Sequence, residues 1–221
     1  MNIAVLGTGM VGQALAARLH ELGHRVTVGT RDPAASLART EPGGLGDWHA
    51  QHPDVAVAGF ADAAREADLV VLAALGTAAL DILGRAGAEN LAGTVVLDIS
   101  NPLDFSGGMP PSLFVSNTDS LGEQLQRAFP EARVVKTLNT MTAAVMVHPT
   151  ELAAGDFTTF VSGDDAEAKA VVTDLLRSLG HTDVLDLGDI TTARGTEMLM
   201  PIWLRLWGAL GTPMLTFKVV R

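Results

Sequence analysis

The chain contains no cysteine and no tyrosine. The first absence excludes disulfides, thiolate nucleophiles and cysteine-built metal centres, and it suits a cytoplasmic protein. The second removes one of the usual side-chain proton donors from any active site. Positive charge is scarce: 15 Lys and Arg stand against 25 Asp and Glu, a net charge of −10. No long basic run is present, and a nucleic-acid partner is not expected, because phosphate neutralisation needs clustered cations. The histidines, His20, His24, His49, His52, His148 and His181, offer no pair at ligand spacing, since Gly23 interrupts His20 and His24. They are expected at the surface, with no metal site; His148, beside Pro149, alone is kept as a site candidate. No leader segment is expected, because the first residues run straight into an apolar strand without a positive region. The longest apolar stretch, Met198 to Phe217, is broken by Pro201, Gly208, Gly211 and Pro213 and carries Arg205. A charge at a bilayer centre costs about 3 kcal/mol on insertion scales. The stretch is expected not to cross a membrane but to form a buried or subunit-interface helix, with Trp203, Leu204, Leu206 and Trp207 as contact surface.

What the chain does have is a glycine motif in a specific setting. Met1 to Leu6 reads as a short, uncharged, fully buried parallel strand. Gly7-Thr8-Gly9-Met10-Val11-Gly12 follows at once, and Met10 to Leu22 reads as a helix with Leu15, Leu19 and Leu22 on one face. Strand, glycine turn and helix together make G-x-G-x-x-G a dinucleotide-binding signal. Gly7 permits the tight turn, Gly9 lets a pyrophosphate approach the backbone, and Gly12 lets the helix pack on the strand. The helix N-terminus offers N–H groups and a positive dipole end to the phosphates.

The end of the second strand, Arg25 to Arg31, selects the dinucleotide. An NAD site usually places an acid here, for the ribose hydroxyls. This chain has Thr30 and Arg31, a hydroxyl and a guanidinium suited to a 2′-phosphate. Asp32 reads as a helix N-cap ahead of Pro33. NADP(H) is therefore expected over NAD(H).

Strands and helices then alternate. Pro33 to Thr40 is expected to be helical, Glu41 to Gly46 a loop, and Asp54 to Ala58 a strand. Helices are expected over Phe60 to Ala67 and over Thr77 to Ala88, the latter capped by Thr77. Strands follow at Asp68 to Ala73, Thr94 to Ile99 and Arg133 to Lys136, with a helix at Leu121 to Phe129. This rhythm predicts an α/β, doubly wound parallel sheet. A soft boundary near residue 150 separates residues 1–150, the nucleotide-binding part, from 151–221. The second part is expected to hold strands at Thr158 to Ser162 and Thr182 to Leu187. A helix from Asp164-Asp165 to Leu179, stopped by Gly180, lies between them, and the chain is expected to be mostly helical from Asp189 onward.

In such sheets the ligand lies beyond the carboxyl ends of the strands. Those ends carry Ala74, Leu75, Gly76 and Thr77; Ser100, Asn101, Pro102 and Leu103; and Thr137, Leu138, Asn139 and Thr140. No nucleophilic or acid–base set stands among them. That fits hydride transfer between two bound redox cofactors, where the protein positions and the cofactors react. Carbonyl or imine reduction would want a proton donor, for which Lys136 is the one strand-end candidate; a structural pair is its other reading.

The glycine loop, the V-G-T-R end of the second strand, the segment Val135-Lys136-Thr137-Leu138-Asn139-Thr140 and the tail through Phe217-Lys218 resemble the NADP oxidoreductase, coenzyme F420-dependent family. The likeness spans nearly the whole chain, and the cytoplasmic domain of membrane metalloreductases shares similar motifs. It implies a Rossmann-type domain with a small C-terminal α/β extension that contributes to the acceptor site and to a homodimer interface. It also implies hydride transfer between NADPH and a deazaflavin, coenzyme F420, or a flavin such as FMN or FAD. Carried over by position, Thr8, Gly9 and Met10 meet the pyrophosphate, and Thr30 and Arg31 hold the 2′-phosphate. Ala74, Leu75, Ser100, Asn101, Pro102, Asn139 and Thr140 line the nicotinamide and acceptor pocket. Archaeal members carry a differently composed loop where this chain has Asn101 to Phe105. Met141, Met146 and Met198 are candidates to pad a flat ring, with core packing as the other and preferred reading of each. Two rival readings stay open: an imine or carbonyl reductase with Lys136 as proton source, and a non-catalytic NADP(H) sensor whose tail binds a partner.

Overall fold

A computed structural model describes all 221 residues. The strands, in chain order, are β1 (Asn2–Leu6), β2 (Arg25–Thr30), β3 (Ala56–Gly59), β4 (Leu69–Leu72), β5 (Val95–Asp98), β6 (Leu103–Asp104), β7 (Ser112–Leu113), β8 (Arg133–Thr137), β9 (Thr158–Ser162) and β10 (Asp183–Asp186). Strands β6 and β7 form a small antiparallel hairpin of their own; the rest make one sheet in the order β10-β9-β8-β5-β4-β1-β2-β3. Every neighbouring pair from β3 to β8 is parallel. Strand β9 joins β8 antiparallel, and β10 runs parallel to β9. The fold is a Rossmann-type α/β sheet, and the strands beyond residue 150 extend that same sheet with reversed direction.

Both faces of the sheet are covered, which explains the uncharged central strands β1 and β4. Along β1, Ile3 and Val5 enter one core with Leu15, Leu19 and Leu176, whereas Ala4 and Leu6 enter the other with Phe60, Leu83 and Leu125. That alternation is the period of two of a pleated strand. Leu15 and Leu19 are 2% and 1% exposed, and each such burial contributes about 1.5–3 kcal/mol.

Local signals act as expected at several ends. Asp32 Oδ1 accepts the Ala35 N–H at 3.0 Å, with Pro33 opening the helix Pro33–Leu37. Asp165 caps the helix Ala166–Leu179 in the same way, and Gly180 ends it in the left-handed conformation, φ 109°.

Four expectations need correction. Residues Leu45–Gln51 form a helix where the glycines around them read as loop. Thr77 caps nothing: the helix Gly76–Ala86 starts one residue earlier, with Leu75 at its N-cap and no side-chain cap. The C-terminal segment is helical over Ile190–Thr192, Ala193–Met198 and Met200–Leu210 but not to its end; Gly211 stops the last helix in the left-handed region, and the residues after it are irregular. His181 is buried at 2% exposure between β9 and the helix Ala143–Val147. Its Nδ1 is 2.8 Å from Thr159 Oγ1 and its Nε2 3.0 Å from the Met146 carbonyl. Burial pushes its pKa below 6.5, and the backbone contact with Met146 opposes the shift. No helix is long and apolar enough to cross a membrane.

Candidate nucleotide and acceptor site

The topology reverses at β1, which has β2 on one side and β4 on the other. Leu6 pairs with both Gly29 and Leu72, so these three strands end level. The glycine loop, Thr30-Arg31 and Ala73-Leu75 therefore open at one edge, the place where doubly wound sheets bind ligands. A cavity of about 840 Å³ lies there.

The glycines divide the work as the motif requires. Gly7 has φ 138°, and a Cβ on it would lie 2.0 Å from the Ala73 carbonyl oxygen. A Cβ on Gly12 would lie 2.2 Å from the Gly7 carbonyl oxygen, so this glycine lets the helix fold back on its own loop. At Gly9 a Cβ would meet nothing within 4 Å: the space above it is open to a ligand. No side chain caps the helix Met10–Glu21 at that end. Its first N–H groups and positive dipole end thus face the cavity without a protein partner, a cradle that fits a pyrophosphate.

Beside the loop, Thr30 is buried and its Oγ1 is 2.7 Å from Ser36 Oγ, while Arg31 is exposed. Asp32 lines the same end, but its carboxylate is held by the Ala35 N–H. Two hydroxyls and a free guanidinium suit a phosphate rather than ribose hydroxyls. Ser36 occupies no motif position; only its place one turn into the Asp32-capped helix could have signalled it.

The other end of the cavity is assembled from distant segments. Asn101 and Asn139 clasp each other: Asn101 Nδ2 donates to the Asn139 carbonyl at 2.8 Å, and Asn139 Nδ2 donates to Asn101 Oδ1 at 2.9 Å and to the Thr196 carbonyl at 3.1 Å. Around them stand Leu103, Phe105, Met141, Met146, Met200 and Trp203. Trp203 is fixed by donation from Nε1 to the Leu215 carbonyl at 3.0 Å.

Beneath this end lies a fully buried charge cluster. Lys136 Nζ donates to Asp98 Oδ2 at 2.8 Å, to Glu197 Oε1 at 2.8 Å and to the Ser100 carbonyl at 2.6 Å. Burial alone pulls the Lys136 pKa down, but the two carboxylates outweigh it and the group lies above its usual value. Glu197 also accepts the N–H groups of Leu121 and Gly122 at 2.8 and 3.0 Å, capping the helix Leu121–Ala128 from far along the chain. Asp98 Oδ1 accepts the N–H and the hydroxyl of Ser100 at 2.9 and 2.5 Å. Lys136 does not line the cavity, and all its contacts are internal. The expectation of a strand-end proton donor gives way to its other reading, a structural pair.

Among the residues singled out from sequence, Gly7, Thr8, Gly9, Met10, Val11, Thr30, Arg31, Ala74, Leu75, Ser100, Asn101 and Asn139 line one cavity. Gly12, Pro102 and Thr140 do not. Gly12 faces the Gly7 carbonyl; Pro102 is buried and its carbonyl accepts the Phe114 N–H beside the β6–β7 hairpin; Thr140 is 2% exposed. Met141 and Met146 line the acceptor end, but exposed Met198 is away from it and Met200 stands there instead. His148 is exposed and outside the cavity.

The chain is similar to known proteins over most of its length. The family model described as NADP oxidoreductase, coenzyme F420-dependent, matches residues 2–102. Metalloreductase STEAP3 of Rattus norvegicus is 30% identical over 207 residues, which cover 91% of this chain but only 38% of that protein. The F420-dependent NADP reductase of Methanocaldococcus jannaschii is 29% identical over 209 residues, covering 93% of this chain and 92% of that protein. A crystal structure from Arthrobacter sp. FB24, described as a candidate F420-dependent NADP-reductase, superposes with a TM-score of 0.98 at 62% identity, covering 100% of both chains.

Proposed function

Because this chain belongs to the coenzyme F420-dependent NADP oxidoreductase family, we propose that it transfers hydride between NADPH and a deazaflavin, or a flavin taking its place. It is an NADP-dependent oxidoreductase. The observation that carries the finer reading is the acceptor end of the cavity: apolar, sulfur-rich walls with no acid or base reaching in. Bound NADP(H) supplies the hydride chemistry, and the chain's task is to hold two rings together and keep water out.

Gly7 to Val11 and the helix N-terminus hold the pyrophosphate, while Thr30, Ser36 and Arg31 hold the 2′-phosphate. The Asn101–Asn139 clasp presents fixed amide groups to the nicotinamide, and Ala74 and Leu75 close over it. Met141, Met146, Met200 and Trp203 form the bed for the acceptor ring. In this reading residues 1–150 bind the nucleotide, and 151–221 complete the acceptor site and a homodimer contact. Exposed Ile202, Trp207 and Leu210 on the helix Met200–Leu210 suit that contact, which sedimentation would check. A cytoplasmic location fits the cysteine-free composition.

The deciding experiment follows NADPH absorbance with the deazaflavin and with FMN. Oxidation with either acceptor supports the proposal. Tight NADPH binding without oxidation by any such acceptor overturns it in favour of a sensing role.

A further inference from the structure

Eleven of the 15 Lys and Arg pair with a carboxylate, which leaves Arg25, Arg31, Arg39 and Arg205. Two of these four bear on the nucleotide end of the cavity: Arg31 lines it, whereas Arg39 is outside the lining and its Nη2 donates to Oγ1 of the lining residue Thr8 at 3.1 Å. In a chain of net charge −10, an unpaired guanidinium resting on a hydroxyl of the phosphate loop calls for an anion.

The backbone that carries Arg39 is held on both sides. Its carbonyl accepts the Gly46 N–H at 2.9 Å, and its N–H donates to the Ser36 carbonyl at 3.3 Å. A Cβ on Gly44 would lie 2.3 Å from the Arg39 carbonyl oxygen, and one on Gly46 would lie 2.1 Å from that of Leu37. The Gly43-Gly44-Leu45-Gly46 turn closes on this segment only because it lacks side chains there. Gln13 then ties the turn to the glycine loop, donating from Nε2 to the Thr8 carbonyl at 2.9 Å and the Gly43 carbonyl at 3.1 Å. The backbone is fixed and the guanidinium is exposed. Only one of its five N–H donors has a protein acceptor.

We propose that Arg39 is a second guanidinium for the 2′-phosphate, closing the pocket of Thr30, Arg31 and Ser36 from the side of the glycine loop, and so a specificity-determining residue for NADP(H) over NAD(H). The inference rests on the nucleotide reading above. The Ser36 carbonyl accepts the Arg39 N–H just past the end of the helix Pro33–Leu37, and the Ser36 hydroxyl meets Thr30, so the turn that carries Arg39 starts at the phosphate-side hydroxyls. A phosphomonoester near neutral pH carries between one and two charges, so Arg31 alone leaves part of it unmatched.

The test is the dissociation constant of NADPH and of NADH for the wild type, Arg39→Ala, Arg39→Lys and Arg31→Ala. Arg39→Ala is expected to weaken NADPH about tenfold and leave NADH unchanged, as for loss of one charge-assisted contact. Arg39→Lys should recover part of the loss, and the Arg39→Ala effect should shrink in high salt because the site is exposed. Unchanged NADPH affinity in Arg39→Ala overturns the assignment while the nucleotide reading stands. Equal loss for both nucleotides also overturns it, placing Arg39 on the pyrophosphate or in a structural role. A wild type that binds neither nucleotide removes the nucleotide reading itself, and Arg39 with it.

Discussion

The two ends of the cavity are made of different material. At the nucleotide end, main-chain N–H groups, glycines and short hydroxyl side chains come from one stretch of chain between Gly7 and Ser36. At the acceptor end, side chains come from three stretches, around Asn101, Asn139 and Trp203, and are braced from below by Lys136, Asp98 and Glu197. The first end depends on what the residues lack, a Cβ or a bulky group. The second depends on large side chains held by long-range contacts. A site for a ligand common to many enzymes can be local; a site for a particular acceptor here requires the whole fold.

The strongest way to break the acceptor end is Lys136→Met. It strands two buried carboxylates, and removal of one partner from such a cluster costs about 3–5 kcal/mol. Urea denaturation should register a loss of that order, while the remaining folded protein still prefers NADPH to NADH. Unchanged stability would show that the charge cluster does not brace this end of the cavity. The nucleotide end breaks from within through Gly12→Ala, because the added methyl meets the Gly7 carbonyl. Overpacking of this kind costs up to about 3 kcal/mol, seen as a lower melting temperature and weaker binding of both nucleotides.

Arg31→Ala sharpens the comparison without disturbing the fold. It should weaken NADPH by about 1–3 kcal/mol in calorimetry and barely change NADH. Equal losses would move Arg31 away from the 2′-phosphate. The smallest effect concerns His181, which supports Met146 beneath the acceptor end. Its pKa is lowered in the folded state, so its neutral form contributes stability fully above pH 6.5, lost as pH falls through the depressed value. His181→Gln should therefore flatten the stability profile on the acid side of pH 6.5; an unaltered slope would assign it to other groups.

Much of the nucleotide end was legible because its signals are contiguous: a strand, three glycines, a helix, then Thr-Arg and Asp-Pro. Ser36 escaped because one more serine in a short helix carries no signature. The helix Leu45–Gln51 escaped because its flanking glycines look like a loop, although they serve close packing; the spacing of Leu45 and Trp48, both buried on one side, was the available clue. At the acceptor end, Asn101 and Asn139 were reachable from strand ends alone. Met200 and Trp203 were not, since nothing local reveals that the helix Met200–Leu210 turns one face into a cavity begun two hundred residues earlier. The same apolar run hid its own end, because the residues after Gly211 stay hydrophobic without staying helical.

Glu197 bonds at once to a lysine on β8 and to the start of the helix Leu121–Ala128. A fragment ended at residue 150 would keep every residue proposed to hold the nucleotide phosphates and still lose the keystone of its own far wall. The binding half is in that sense not a detachable module: its architecture is completed by residues that arrive last from the ribosome.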